Sequence, residues 1–151
     1  MFNLILFRPE IPPNTGNIIR LCANTGTRLH LINPLGFSLE DRQLRRAGLD
    51  YHEWAAVQQH ATLADCLQSI GQPRVFALST RGTRVYSAPT FMANDAFLLG
   101  QESSGLPAEI LSALPPEQVL RIPMRTVERS LNLSNAAALI IYEAWRQLNF
   151  V

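Results

Sequence analysis

The residues best suited to bind a small polar ligand lie between Phe97 and Asn135. Two apolar runs of strand length in this stretch each end in a turn rich in Gly, Ser, Pro and Asn. The first turn, residues 100–105, reads GQESSG, and the second, residues 130–135, reads SLNLSN. Ligands of open α/β sheets bind at the carboxyl ends of the strands, so two neighbouring turns of this kind predict a cradle for such a ligand.

Both turns also have a plainer interpretation. Residues 100–105 can be an ordinary strand-to-helix loop. In residues 130–135, capping of the final helix explains Ser134 but not Asn132.

A third candidate is the segment 13–20, which reads PNTGNIIR and begins a predicted helix. Backbone N–H groups at a helix N-terminus can hold a phosphate or a carboxylate, and Arg20 lies about one turn into this helix. Helix capping by Asn14-Thr15, with Arg20 solvated, explains the same residues, and the spacing alone favours that interpretation.

Other common chemistries lack their sequence signatures. The turn at residues 100–105 matches neither the Walker A nor the GxGxxG pattern, and the lack of the glycine fingerprint disfavours an NAD-type oxidoreductase. The histidines have no metal-ligand spacing, so we expect no metal site; they are His30, His52 and His60. Cys22 and Cys66 have no CxxC spacing and are expected to be small buried apolar residues in a reducing compartment.

The elements that must position these turns alternate between strands and helices. Apolar runs predict strands over residues 2–7, 28–33, 74–79, 97–100 and 119–124. Helical patterns predict a helix that follows Asn14-Thr15, and further helices over residues 39–47, 62–70, 107–114 and 134–148. This alternation implies an α/β fold with a mostly parallel sheet flanked by helices.

The last predicted helix, residues 134–148, is apolar on nearly every side. A helix of this kind must be buried on every side, either deep in its own core or against another chain. Tyr142 and Trp145 near the end of the helix favour a homodimer interface, because aromatic residues are enriched in interface cores.

Composition sets broader limits. A chain of 151 residues fits one domain, and its net charge of +1 gives no overall attraction to nucleic acid. All 13 basic residues are Arg, which is compatible with an RNA partner but equally with a compositional bias of the source. The apolar start at residues 2–7 lacks the basic region of a signal peptide, and no apolar run approaches the ~20 residues that span a bilayer. We therefore expect a cytoplasmic protein with no membrane association.

Taken together, three segments resemble the motifs of the SPOUT methyltransferases, a family of trefoil-knotted RNA-modifying enzymes. They are residues 14–20, residues 99–106, and residues 122–124 with 130–135. The three motifs occur in the family's order and spacing, and the match covers essentially the whole chain. The segment 45–51, RRAGLDY, and the lack of an added RNA-binding domain are similar to the smallest members, so we expect residues 1–151 to form a single SPOUT domain.

The resemblance implies a C-terminal trefoil knot and S-adenosylmethionine bound within it. By analogy with the family, the cofactor contacts the end of one strand and the second and third motifs. The residues so implied are Leu78, Ser79, Gly100, Glu102, Ile122, Met124, Ser130, Leu131 and Ser134.

The resemblance also implies a reaction, in which a ribose 2′-hydroxyl attacks the methyl group of the cofactor. Its substrate would be the wobble nucleotide, position 34, in the anticodon stem-loop of leucine tRNAs. Arg20 would anchor the neighbouring phosphate and stabilise the developing alkoxide, since an Arg with a pKa above ~12 is a poor base. Asn132 and Ser130 would orient the ribose.

Partners follow from the same resemblance. The family implies an obligate homodimer, here through the C-terminal and first helices, whose surface binds the tRNA. Candidate phosphate contacts are Arg8, Arg42, Arg45, Arg46, Arg125 and Arg129. The alternatives are methylation of another RNA site, such as ribosomal RNA, and a non-catalytic RNA- or nucleotide-binding module.

Overall fold

The computed structural model describes residues 1–46, 48–126 and 129–151. Its strands are β1 (Asn3–Phe7), β2 (Arg28–Ile32), β3 (Val57–His60), β4 (Val75–Leu78), β5 (Arg84–Val85), β6 (Ala96–Leu99) and β7 (Val119–Arg121). Its helices are α1 (Pro12–Thr25), α2 (Arg42–Arg45), α3 (Tyr51–Ala55), α4 (Leu63–Ser69), α5 (Ala108–Ala113) and α6 (Leu133–Gln147), and a 3₁₀ turn covers Pro116–Gln118.

The seven strands form one sheet in the order β3-β2-β1-β6-β4-β7-β5. Every pairing between these strands is parallel. Strands β1 and β6 lie at the centre and are buried along their whole length, as continuous apolar runs require when both faces of a sheet are covered. The prediction of an α/β fold with a mostly parallel sheet is confirmed.

Helices cover both faces of the sheet. On one face α1 and α6 lie side by side over a core that includes Leu4, Leu6 and Phe97. On the other face α4 and α5 pack over Ile5 and Leu98. Alternate residues of one strand therefore belong to different cores, as the period of two in a strand requires. No described helix is long and apolar enough to span a bilayer.

The first helix begins earlier than predicted. Its N-cap is Ile11 and its first two residues are prolines, so Asn14-Thr15 lies inside the first turn rather than capping it. Proline suits this place because its missing N–H would be unpaired there in any case. The helix ends at Gly26, whose positive φ of 68° closes the last turn, as predicted.

Several short elements also differ from the prediction. The helix expected over residues 39–47 is the single turn α2, and Ala47 lies outside the described residues. Strand β7 stops at Arg121 instead of Met124. Helix α3 and strands β3 and β5 were not predicted, because neither of the two strands contains an apolar run and a single helical turn shows no period. A capping box between Asp50 and Glu53 starts α3.

Both cysteines are free and buried, as predicted. Burial raises the pKa of Cys22 to about 12 and that of Cys66 to about 11. His30 is also fully buried, and its burial, followed by the charges of His60 and Arg28, lowers its pKa to about 4.

An ion pair fastens the amino-terminal edge of the sheet. Arg74 donates from Nε and Nη2 to the two carboxylate oxygens of Asp95, at 2.9 and 2.6 Å. Asp95 is only 3% exposed and also accepts from the backbone N–H of Met92 at 2.7 Å. Its own carbonyl accepts from the N–H of Asn3, so the loop before β6 is tied to β1 and β4 together.

We predict that Asp95→Ala lowers the free energy of unfolding by about 2–3 kcal/mol, because it strands the guanidinium of Arg74 and the N–H of Met92. The matched control is Glu40→Ala, which removes the exposed pair with Arg45 and should cost less than about 0.5 kcal/mol. Urea unfolding measures both changes. Equal effects of the two variants would show that the Arg74 pair contributes no more than a surface contact.

Candidate functional site

A cavity of about 450 Å³ opens at the carboxyl edge of the sheet. Its walls come from the segments that follow β4, β6 and β7 and from the start of α1 and α6. These are the loops that a parallel sheet offers to a ligand, and the volume lies within the range of small-molecule sites.

The structure brings most of the predicted site residues together around this cavity. The lining includes Leu78, Ser79, Gly100, Glu102, Ile122, Met124, Ser130, Leu131 and Asn132. Ser134 and Arg20 do not line it. The two turns at residues 100–105 and 130–135 therefore do form one cradle.

The turn after β6 depends on Gly100, which is buried. A Cβ there would overlap the backbone carbon of Gly105 and the backbone nitrogen of Leu106. The turn closes through an N–H···O bond from Gly105 to the carbonyl of Gln101 at 2.9 Å, and Gly105 has a positive φ of 67°. Glycine is thus favoured at position 100 by the close approach of the backbone and at position 105 by the positive φ.

Glu102 holds the start of α1 against this turn. Its carboxylate accepts from the backbone N–H groups of Glu10 and Ile11, at 2.8 and 3.1 Å, and from Asn14 Nδ2 at 3.5 Å. A negative charge at a helix N-terminus is favoured by the helix dipole. These bonds show that Glu102 positions the start of α1. Its contact with the cofactor stays a prediction.

A second contact runs in the opposite direction. The carboxylate of Glu10 accepts from the backbone N–H and the hydroxyl of Ser103, at 3.1 and 2.6 Å. These two bonds, the hydroxyl first, lower the pKa of Glu10. The loop after β1 and the loop after β6 are therefore joined in both directions, because a carboxylate on each loop accepts hydrogen bonds from the other.

Asn132 is the N-cap of α6. From the sequence, capping was expected to explain Ser134 but not Asn132, so this assignment differs from the prediction. Its Oδ1 accepts from the N–H groups of Ser134 and Asn135 and from the hydroxyl of Ser134. Its Nδ2 donates to Oδ1 of the buried Asn14 at 2.9 Å. The side chain of Ser134 is thus directed to the cap rather than to the cavity.

Arg20 lies six residues beyond Asn14, or about 9 Å farther along α1. Its Nη2 donates to the carbonyl of Gly48 at 2.6 Å, and its Nε lies 3.3 Å from the carboxylate of Glu53. Glu53 is the residue that completes the capping box of α3. The segment 48–53 therefore holds the guanidinium on the outer side of α1.

Some lining residues were not nominated from the sequence. Thr80 and Arg81 follow Ser79 in a turn, and Ile11 belongs to the start of α1. The turn signal at residues 80–82 was visible, but a turn alone does not show which cavity it faces.

The architecture and the cavity together define an α/β protein with a small-ligand site built from strand-to-helix loops. The chain belongs to the SpoU rRNA Methylase family, whose model matches residues 1–142. The resemblance to the SPOUT methyltransferases drawn from the three motifs is thereby confirmed.

Individual relatives agree with this placement. The chain is 57% identical over 150 residues to a tRNA (cytidine(34)-2'-O)-methyltransferase of Methylovorus glucosotrophus strain SIP3-4, covering 99% of this chain and 97% of that protein. A solved structure described under 2-OH methylation of C/U34 on tRNA is 45% identical, with a TM-score of 0.89 and coverage of 99% and 97%. An AdoMet-bound rRNA methyltransferase of Sinorhizobium meliloti, at 24% identity, shares the fold with a TM-score of 0.81 over 97% of this chain and 56% of its own.

We predict that Gly100→Ala destabilises the protein by about 3 kcal/mol, because the methyl group must displace backbone atoms of the turn. The control is Gly26→Ala, where nothing lies within 4 Å of the added Cβ and only the positive φ is strained, at a cost of about 1 kcal/mol. Urea unfolding compares the two free energies. A Gly100→Ala variant no less stable than Gly26→Ala would show that the turn can open freely.

Proposed function

We propose that the protein transfers a methyl group from S-adenosylmethionine to the ribose 2′-hydroxyl of nucleotide 34 of tRNA, in particular of leucine tRNAs. The observation that carries the proposal is the single cavity on which the second and third motifs converge. The names of the relatives support position 34 as the target. We include in the proposal that the protein acts in the cytoplasm, where such a tRNA substrate would be found.

The lining suits the proposed donor. Leu78, Ile122 and Leu131 offer aliphatic surface for an adenine ring, and the turn at residues 100–105 offers backbone groups to polar edges. The close approach of Gly100 to residues 105 and 106 gives this turn its tight shape, which a side chain at position 100 would prevent. When bound, S-adenosylmethionine supplies an electrophilic methyl group on its sulfonium. The methyl transfer that we propose uses no metal ion.

The protein's own residues have to place the ribose and assist loss of its proton. Ser130 and Asn132 line the cavity and are exposed. We assign the Ser130 hydroxyl to contact with a ribose that approaches from solvent. The amide of Asn132 is engaged by the start of α6 and by Asn14, so we assign it to orienting the ribose indirectly, by holding this segment in place. Arg20 is held by Glu53 and Gly48 outside the cavity. We assign it to the phosphate beside the reacting nucleotide and to stabilisation of the developing alkoxide.

The family resemblance further implies that the cavity segments form a trefoil knot. The segments after β4, β6 and β7 come together around one ligand volume, as the crossings of such a knot would require. We include the knot in the proposal because the resemblance implies it.

A homodimer completes the proposed enzyme. The buried residues of α6 are confined to one side, namely Ala137, Ile140, Ile141 and Ala144. On its outer surface Leu139 is 39% exposed and Tyr142 is 44% exposed, and Phe150 beyond its end is 54% exposed. Exposed apolar residues grouped in this way are typical of an interface. The face of α6 with neighbouring α1 is therefore the proposed contact.

The proposed RNA surface consists of arginines on the segments that follow β1, β2 and β7. All six candidates are exposed: Arg8, Arg42, Arg45, Arg46, Arg125 and Arg129. Arginine forms forked bonds to phosphate, which position the RNA without reading its sequence.

The direct test is transfer of labelled methyl groups from S-adenosylmethionine to total tRNA, followed by nucleoside mapping. We expect label as a 2′-O-methylated nucleotide at position 34, concentrated in leucine tRNAs. Binding of the donor without label in tRNA would contradict the substrate and direct the search to ribosomal RNA, in keeping with the family's description. Failure to bind the donor would favour a non-catalytic RNA-binding module.

We predict that Arg20→Lys retains measurable turnover whereas Arg20→Ala has almost none, because the lysine keeps a positive charge near the phosphate. Initial rates of methyl transfer at saturating donor measure this. The control is Arg28→Ala, an exposed arginine at the start of β2, which should leave the rate unchanged. Equal rates for Arg20→Lys and Arg20→Ala would refute the assignment.

We predict that Leu139→Asp weakens self-association by on the order of a hundredfold, or about 2.7 kcal/mol, because a carboxylate would be buried in the interface. Sedimentation equilibrium measures the dissociation constant. Met92→Asp serves as control, since Met92 is exposed but lies off α6. A wild-type chain that remains monomeric at micromolar concentration would rule out the dimer.

A further inference from the structure

The outer part of the sheet, away from the cavity, brings together three side chains with metal-binding atoms. They are His30 on β2, His60 at the end of β3 and Cys66 on α4. One ligand atom from each lies within 4.8 Å of the other two. The positions are 30 and 6 residues apart along the chain, so no sequence spacing reveals the group. We propose that it binds a borderline-soft divalent metal ion of the zinc type.

The hydrogen bonds around His30 leave one ring nitrogen suited to a metal. Asn3 Nδ2 donates to the carbonyl of Asn94 at 3.1 Å, which orients the amide of Asn3. Its Oδ1 therefore faces His30 Nε2, 3.3 Å away, and accepts from it. Since a neutral imidazole carries one N–H, His30 Nδ1 presents its lone pair to the cluster.

This arrangement is the support that metal-binding histidines usually have. A carbonyl or carboxylate oxygen accepts from the second ring nitrogen and thereby fixes the ring and its tautomer. Here Asn3 provides that oxygen, and both Asn3 and His30 are buried, at 2% and 0% exposure. A surface pair of histidines would lack such a partner.

The other two ligands can follow with small movements. His60 Nε2 lies 3.0 Å from His30 Nδ1 and donates its proton there in the metal-free protein. Transfer of that proton to its own Nδ1 frees Nε2 for the metal. Cys66 would release its proton to solvent and bind as thiolate. Tetrahedral zinc places nitrogen and sulfur ligands roughly 3.5 Å apart, so ligand atoms within 4.8 Å of one another have to approach by about 1.3 Å at most.

The donor set selects the ion. Two imidazoles and one thiolate prefer Zn²⁺ or Co²⁺ over Mg²⁺ or Ca²⁺, which require oxygen ligands. His60 is half-buried, which leaves a side from which a fourth ligand, such as water, can enter. The ion would connect α4 to β2 and β3, at the far side of the sheet from the cavity. It would thus be structural and separate from methyl transfer.

The test is titration of untagged, reduced, chelator-treated protein with Co²⁺, followed by competition with Zn²⁺. We expect one equivalent to bind, with a thiolate-to-cobalt charge-transfer band and visible bands of tetrahedral intensity. Zn²⁺ should displace Co²⁺ and raise the melting temperature, since an ion that binds only the folded chain stabilises it.

Two variants remove one ligand each, and two matched variants serve as controls. Cys66→Ala should abolish the charge-transfer band, and His60→Gln should weaken binding at least tenfold. Cys22→Ala and His52→Gln remove the other cysteine and an exposed histidine, and should bind as the wild type does. His60 is partly exposed, so His60→Gln remains informative if Cys66→Ala fails to fold.

The proposal is overturned if no equivalent of Co²⁺ binds. It is also overturned if binding occurs without the charge-transfer band, or persists unchanged in His60→Gln. Those results would mean that the three side chains form only a buried hydrogen-bonded group.

Discussion

The arrangement of the site depends on the hydrogen bonds of the Asn14 side chain. It lies in the first turn of α1, is 7% exposed, and bonds in both directions. Its oxygen accepts from Asn132 at the start of α6, and its amide nitrogen faces the carboxylate of Glu102 after β6. Three motifs far apart in sequence therefore meet in one polar network. Because buried polar groups are costly when unpaired, each member restrains the other two.

The network explains why a cavity is stable at this edge of the sheet. The first two residues of α1 are prolines and have no N–H, and Glu102 accepts from the two N–H groups just before them, those of Glu10 and Ile11. Asn132 satisfies the start of α6 in the same way. The loops at the cavity are thus held by helix ends, and every residue of the turn at 100–105 lines the ligand volume.

The two faces of the sheet serve different purposes. Helices α1 and α6 share one face, and the apolar surface left on α6 is the basis for the proposed dimer. Arg20 extends from α1, donates to the carbonyl of Gly48 in the loop before α3, and forms an ion pair with Glu53. Helix α4 covers the other face, where the group of His30, His60 and Cys66 lies outside the proposed reaction.

The sequence by itself determined the class of fold and most of the cavity. The continuous apolar runs of β1 and β6 predicted central parallel strands, since only burial on both faces tolerates them. The turns at residues 100–105 and 130–135 predicted the cradle, because Gly and Asn mark places where the backbone must bend sharply. Nine of the nominated residues line one cavity, and five of them lie in these two turns, although the individual residues were nominated through the family resemblance.

Only the tertiary structure decided which partners the polar side chains have. Capping rules could not assign Asn132 to the N-cap and to Asn14 together, because the second contact spans 118 residues of chain. Nor could they show Arg20 held by Glu53, or His30 beside His60 and Cys66. Local patterns report the period and the ends of elements, whereas a contact between distant residues depends on how those elements are packed.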